Sequence, residues 1–85
     1  MIATAIVNSF IGIELENFIM PIIAVYKNPI DYPDKYVARI FNVDRPTVIA
    51  VIGDTLHEIR LKIPRHMIKL DRATIDDPVI VETWV

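Results

Sequence analysis

Residues 47–63, TVIAVIGDTLHEIRLKI, decide the fold of this 85-residue chain. The first six of them are almost wholly apolar and rich in β-branched side chains, which is typical of a sheet strand buried on both faces. Thr55 and Glu58 then match a capping box, in which a hydroxyl and a carboxylate three residues apart accept the free amides at the start of a helix. The stretch therefore predicts a central strand over residues 47–52 and a helix over residues 55–63.

The predicted helix is short and amphipathic. Leu56, Ile59 and Ile63 recur at spacings of three and four residues, so they lie on one side of the helix. Pro64 ends it, because a proline ring inside a helix clashes with the preceding turn. A helix of about nine residues is marginal in water on its own, so we expect it to form by packing on the sheet.

Four more segments have the composition or the alternation of strands, and clusters of Asn, Asp and Pro separate them. They are residues 21–26, 34–41, 67–71 and 79–85. Residues 42–46 are typical of a five-residue hairpin loop. The order β-β-β-α-β-β predicts an α+β domain, with one short helix on one face of a mostly antiparallel sheet of four to five strands.

Residues 1–19 differ from the rest of the chain. Their apolar run, residues 2–13, is shorter than the roughly 20 residues that cross a bilayer. No Lys or Arg precedes Lys27, whereas a secretory signal begins with a basic region. We therefore expect a cytoplasmic protein.

Two interpretations of residues 1–19 remain. In one, they form an extra element packed on the domain. The residues that would make this contact are Ile6, Phe10, Ile13 and Phe18. In the other, the natural start is Met20 and the first nineteen residues come from a start codon assigned too far upstream. We favour the second, because the elements after Met20 form a complete pattern, and we place a single small domain at residues 20–85. The intact mass of the natively expressed protein distinguishes the two.

The predicted sheet has apolar residues on both faces. Within residues 47–52, the positions on either side of the strand are apolar or β-branched throughout. One short helix covers only one face, and each large apolar side chain left exposed forgoes roughly 1.5–3 kcal/mol of burial. We therefore predict that a second copy of the chain covers the other face, with residues 1–19 as the competing cover. In the last strand, the residues predicted to share a face are Ile80, Glu82 and Trp84. The candidate interface residues are Trp84, Ile80 and Val85.

The composition excludes several classes of active site. Zero cysteines exclude a disulfide scaffold, a thiolate metal site and a cysteine nucleophile. Two glycines are too few for a glycine-rich phosphate loop. The only serine, Ser9, lies in the doubtful N-terminal segment, so a Ser-His-Asp triad is not credible. His57 and Glu58 begin like the HExxH zinc motif, but Leu61 occupies the place of its second histidine. We expect a protein that is not an enzyme and has no cofactor.

A metal site is not expected either. The residues that would have to gather around an ion are His57, His66, Asp76 and Asp77. Two histidines nine residues apart match no ligand spacing, and Asp76 and Asp77 stand directly before Pro78, where aspartates are typical of a turn.

The charge favours a protein partner over a nucleic acid. Nine Lys and Arg against eleven Asp and Glu give a net charge of −2, whereas nucleic-acid binders usually carry a positive excess. Residues 56–72 nevertheless carry a net charge of +3, because five basic residues stand against two acidic ones. This basic patch consists of Arg60, Lys62, Arg65, Lys69 and Arg72. No aromatic residue that stacks on bases occurs between residues 42 and 83. We interpret the patch as a solvated surface, with weak nucleic-acid binding as the alternative.

Three segments, residues 32–41 (YPDKYVARIF), 55–60 (TLHEIR) and 76–84 (DDPVIVETW), carry a family resemblance. With them, residues 20–85 resemble a group of small uncharacterised bacterial proteins of the Firmicutes and prophage kind. The resemblance implies a bacterial or phage origin and a cytoplasmic setting, and no activity is attached to the group.

A weaker likeness is to HicB-type antitoxin domains. It rests on a strand beginning near Tyr36, a second strand over residues 47–52, and a T-x-x-E helix start at Thr55. Those domains have a longer helix and often a separate DNA-binding segment, and the sequence shows neither.

These observations predict a homodimeric, non-enzymatic interaction module that holds an unidentified protein partner by a sheet face or an exposed edge. The alternatives are a weak nucleic-acid-binding protein and an antitoxin-like regulator. Binding to mixed RNA and DNA that weakens steeply with salt would favour the nucleic-acid alternative.

Overall fold

The computed structural model of the protein describes residues 5–15, 18–70 and 79–85. These residues form a mixed six-stranded sheet with a short helix packed on one face. The predicted α+β class is confirmed. The sheet has six strands, whereas four to five were predicted. The additional strand lies in residues 1–19, which the prediction placed outside the domain.

The strands, in chain order, are β1 Ala5–Ile6, β2 Pro21–Lys27, β3 Tyr36–Asn42, β4 Arg45–Gly53, β5 Lys69–Leu70 and β6 Ile80–Trp84, and the helix α1 is Leu56–Arg60. Their order across the sheet is β1-β4-β3-β2-β6-β5. β1 runs parallel to β4, and the other neighbouring strands are antiparallel. The expectation of a mostly antiparallel sheet is therefore confirmed.

The β3–β4 hairpin is tighter than the predicted five-residue loop over residues 42–46. The strands continue to Asn42 on one side and Arg45 on the other, so the turn consists of Val43 and Asp44. Val43 has a φ of 61°, a left-handed conformation that is costly for a β-branched residue. The chain before β2 holds this turn, since the Val43 amide donates to the Met20 carbonyl at 2.8 Å. The Asn42 side-chain oxygen accepts from the Met20 amide at 3.2 Å.

Strand β4 is buried over only part of its length. Ala50, Val51 and Gly53 are buried, whereas residues 45–48 are largely exposed. The prediction of a strand buried on both faces is wrong for the first half, because β4 lies one strand from the edge and its outer neighbour β1 is two residues long.

Helix α1 begins where the capping box predicts. The Thr55 hydroxyl accepts from the Glu58 amide at 3.2 Å, and the Glu58 carboxylate accepts from the Asp54 amide at 3.3 Å. The regular helix is shorter than predicted, because after Arg60 the chain tightens into turns such as the 3.0 Å bond from the Lys62 amide to the Ile59 carbonyl. In the part of the chain that the structure describes, no helix has the length and apolar character needed to cross a membrane.

The hydrophobic core lies between the sheet and a layer formed by α1, the turn after it and the N-terminal segment. Its buried members are Phe10, Leu15, Ile23, Val25, Ala38, Ile40, Val51, Ile59, Ile63 and Met67. Ile59 and Ile63 are thus buried as the predicted helix stripe requires, and Leu56 packs partly buried beside them.

The N-terminal segment contributes directly to this core. Phe10 is fully buried, and its amide donates to the Lys62 carbonyl at 3.0 Å. Ile13 and Phe18 pack partly buried against the core, whereas Ile6 is exposed. These contacts match the interpretation of an extra element packed on the domain. A natural start at Met20 concerns translation and stays a prediction, but a chain that began there would lack Phe10 and Leu15.

We predict that Phe10→Ala lowers the free energy of unfolding by about 3–5 kcal/mol, because it opens a cavity in the core. Urea unfolding followed by Trp84 fluorescence measures this loss. The matched control is Ile11→Ala, since Ile11 is the exposed neighbour and its truncation is expected to change stability by less than about 0.5 kcal/mol. Equal unfolding midpoints for Phe10→Ala and the parent protein would show that the segment is not part of the core.

Candidate functional site: the open face of the sheet

The face of the sheet opposite α1 is named here the open face. Residues paired across neighbouring strands point to the same side of a sheet, so the strand register identifies its members. One row crosses all six strands and consists of Ile6, Ala50, Arg39, Ala24, Thr83 and Leu70. The helix face carries the alternate residues, including Ile23, Val25 and Ala38 of the core.

Two further rows complete the open face. The first consists of Ile52, Val37, Tyr26 and Ile80, and the second of Pro46, Phe41 and Ile22. At the β5 edge, Ile68 and Val85 exchange backbone hydrogen bonds of 2.7 and 2.9 Å. Both belong to the open face, because Ile68 stands two residues from Leu70 in extended chain. Arg39 is the one charged residue among the described members of these rows.

The centre and the edges of the open face differ in exposure. Val37 and Ala50 are fully buried in the centre. At the β5 edge, Ile68 is 66% exposed and Leu70 46%, and at the β1 edge, Ile6 is 48% exposed and Val48 44%. The apolar surface that reaches solvent is therefore concentrated in two patches at opposite edges of the sheet.

The loop between β2 and β3 covers part of the open face. Arg39 Nη2 donates to Asp31 Oδ2 at 2.6 Å, which brings this loop over the sheet. Sequence reasoning assigned the cover on this face to a second copy of the chain, with residues 1–19 as the competing cover, and missed the loop. The described part of residues 1–19 instead places Phe10 and Leu15 in the core on the helix side. Two features of the sequence could have indicated this loop contact: a single Arg in an otherwise apolar strand, and an Asp in the preceding turn, between two prolines. The pair neutralises the charge of Arg39 within the chain, so the described rows of the face present no charged group that needs a charged partner.

Trp84 lies on the helix face, not on the open face. It pairs with Ile23 and its indole Nε1 donates to Glu82 Oε2 at 2.6 Å. In the pairing of β2 with β6, Glu82 lies beside Val25 but Ile80 lies beside Tyr26, so β6 contains one extra residue at this point. The extra residue interrupts the alternation of side chains between the two faces of the sheet. The prediction that Ile80 and Trp84 share a face is therefore wrong. Ile80 and Val85 belong to the open face, and their role in an interface stays a prediction.

Glu82 is a buried carboxylate held from two sides. Its side chain is only 3% exposed, yet Arg60 Nη2 donates to Glu82 Oε1 at 2.7 Å, and Arg60 Nε reaches the same carboxylate at 3.2 Å. This hydrogen bond raises the pKa of Arg60. Sequence reasoning missed the pair, although a lone Glu in the apolar strand VIVETWV was its signal. The contact fixes β6 against α1.

The predicted basic patch does not present all of its charges to a ligand. Arg60 is paired with Glu82. The Lys62 carbonyl accepts from the Phe10 amide, which is a backbone contact and does not involve the Lys62 ammonium group. Arg65 and Lys69 are exposed, one in the turn after α1 and the other on edge strand β5. Arg72 lies outside the described residues. A role of this patch in nucleic-acid binding stays a prediction.

The potential metal ligands are not gathered in the described part of the chain. There, no three His, Asp or Glu side chains come close enough to hold an ion. His57 lies in α1 and His66 in the turn after it, and both are exposed. Asp76 and Asp77 lie outside the described residues.

An exposed ion pair provides a contrast to Arg60 and Glu82. Lys35 bonds Asp54, joining the start of β3 to the end of β4, and this bond raises the pKa of Lys35. Both side chains are open to water, so the pair contributes little to stability.

Comparisons of the chain with protein-family models, with curated proteins and with solved structures found no match. The resemblance to small bacterial proteins of the prophage kind, and the weaker one to HicB-type antitoxins, therefore stay predictions. The arrangement of the open face is the strongest guide to function.

We predict that Arg60→Leu destabilises the protein by about 2 kcal/mol, because it leaves the buried Glu82 carboxylate without its cation. The double variant R60L/E82L is expected to lose less, since it buries no unpaired charge. Chemical unfolding of both variants measures the difference. Lys35→Leu, which breaks the exposed pair, is the control and is expected to leave the midpoint almost unchanged. Equal losses for Arg60→Leu and Lys35→Leu would contradict the importance of the buried pair.

Proposed function

We propose that this protein is a non-enzymatic interaction module that works as a homodimer, with the open face of one copy packed on the open face of the other. The observation that carries the proposal is the composition of that face. Its rows are mainly apolar, with Thr83 and Tyr26 as uncharged polar members, and its one charged residue among those described, Arg39, is already paired with Asp31.

The size of the open face is at the lower limit for a specific dimer. Six strands spaced by about 4.8 Å span roughly 25 Å, and strands of about six residues add roughly 20 Å in the other direction. Each copy contributes at most roughly 500 Å² in flat projection, and the β2–β3 loop already covers part of it, so the pair stays at or below the total of about 1,000 Å² that specific interfaces require. The affinity of such a dimer depends on how well the two edge patches pack rather than on area. Two sheets in such a sandwich pack about 10 Å apart.

A second copy fits this surface better than a charged partner. A homodimer with a two-fold axis uses the same surface patch on both subunits. With the axis in the plane of the sheet and perpendicular to the strands, the β5 edge patch of one copy, Ile68 and Leu70, lies over the β5 edge patch of the other, and the two β2–β3 loops lie at opposite ends of the interface. This arrangement buries both edge patches in one step, and it needs no charge complementarity.

The proposal extends to a setting and a partner. The resemblance of residues 20–85 supports a bacterial or prophage origin and a cytoplasmic location. The dimer would leave the helix faces and the ends of the sheet available to hold a further protein, whose identity the neighbouring genes would indicate.

We predict that the parent protein sediments as a dimer at micromolar concentration and that Leu70→Asp converts it to a monomer. The matched control is Leu61→Asp, because Leu61 is 63% exposed but lies on the helix side of the domain. The control is expected to remain dimeric. A parent protein that sediments as a monomer at about 100 µM would overturn the proposal, because a dimer that forms at micromolar concentration is fully populated at that concentration.

Weak nucleic-acid binding, alone or within an antitoxin-like role, is the alternative function. The exposed side chains of Arg65 and Lys69 support this alternative. The pairing of Arg60 with Glu82 argues against it, because it takes one of the five basic residues of the patch. We expect no binding to mixed RNA and DNA at low salt. Binding that falls steeply between roughly 50 and 200 mM salt, and that Arg65→Gln reduces, would favour the alternative.

A further inference from the structure

A pocket of about 400 Å³ lies between the N-terminal segment and the turn after α1. Its apolar walls include Phe10, Ile11, Ile13 and Leu15, and its other side includes Arg65 and His66. The volume falls within the range of about 300–1,000 Å³ that is usual for small-molecule sites. Because Phe10 and Leu15 belong to the core on the helix side, the pocket lies on the side of the sheet away from the open face.

The walls of the pocket are fixed by the fold. The Phe10 amide and the Ser9 hydroxyl both donate to the Lys62 carbonyl, at 3.0 and 3.3 Å. The Leu15 amide donates to the Ile13 carbonyl at 2.9 Å, which keeps the next part of the segment folded back. Since the Phe10 side chain is fully buried, the packed core forms the floor of the pocket.

The mouth of the pocket is cationic. A 3.1 Å bond from the Met67 amide to the Pro64 carbonyl closes a turn whose two central residues are Arg65 and His66. Both side chains are exposed. No carboxylate is among the described residues that line the pocket, although Glu14 stands between two of them in the sequence.

We infer that this pocket binds a small amphipathic carboxylic acid, with its hydrocarbon part against Ile11 and Ile13, above the buried Phe10, and its carboxylate on Arg65 and His66. A guanidinium group binds a carboxylate through two parallel hydrogen bonds, and the imidazole provides one more donor. The apolar walls disfavour a sugar or a nucleotide, whose hydroxyls would lose their hydrogen bonds with water. The proposed site contains no residue of the open face. Ligand binding in the pocket can therefore be tested independently of dimer formation.

Isothermal titration with octanoate tests the inference, with octanol and inorganic phosphate as comparison ligands. We expect saturable binding of octanoate, much weaker binding of octanol and none of phosphate, because the site requires both the chain and the charge. Amide signals of residues 10–13 and 65–66 are expected to shift in NMR spectra on addition of octanoate.

Two variants test the charge and the wall separately. Arg65→Gln is expected to weaken octanoate binding roughly tenfold, since it removes the charge-assisted hydrogen bonds. Ile11→Asp is expected to abolish binding, because it places a carboxylate at the exposed wall. Arg45→Gln, at the β3–β4 hairpin, is the control and should bind octanoate as the parent does. The melting temperature of each variant shows that it is folded.

Three outcomes would overturn the inference: no saturable binding of octanoate, equal affinities for octanoate and octanol, or equal affinities of Arg65→Gln and Arg45→Gln. The dimer proposal would survive each of them, because sedimentation of the parent and of Leu70→Asp is read without any ligand.

Discussion

A regular helix of five residues is about 7.5 Å long, whereas a sheet of six strands is about 25 Å wide. The helix therefore covers a minor part of one face, and the chain has to cover the rest by other means. On the helix face, the N-terminal segment provides the cover by placing Phe10 and Leu15 in the core beside Ile59. On the opposite face, the loop that carries Asp31 covers a part through Arg39, and the edges remain apolar and exposed. The candidate interface and the candidate pocket both result from this shortage of helix.

Local signals in the sequence predicted the elements that depend on neighbouring residues. The capping box at Thr55 and the apolar stripe of α1 act within one or two helical turns, and both are present in the structure. The hairpin loop was too long in the prediction, because the turn at Val43 is stabilised by Met20, which is remote in sequence. The conformational preferences of a β-branched residue argue against a positive φ, so the sequence does not predict this turn at Val43. The hydrogen bond to Met20 holds Val43 in this costly conformation.

The candidate site was less predictable than the elements, because it depends on register. One extra residue in β6 places Trp84 and Ile80 on opposite faces, and no pattern of apolar residues in VIVETWV indicates where that residue is inserted. The parallel pairing of β1 could not be predicted from the sequence either, since a strand of two residues is too short to show an alternation of apolar and polar side chains. The apolar character of the face away from the helix was nevertheless predictable at the predicted central strand, because residues 47–52 are apolar or β-branched on both sides.

Glu82 shows how one polar contact fixes this arrangement. A buried carboxylate in the middle of β6 is costly unless a cation reaches it, and Arg60 of α1 does so while Trp84 occupies its second oxygen. If β6 shifted by one residue, Glu82 would turn to the open face, away from Arg60, and Trp84 would turn with it. The contact thus determines which apolar residues of β6 point away from the helix. It keeps Ile80 on the open face beside Tyr26, and it keeps the Glu82 carboxylate away from the surface on which association through that face depends.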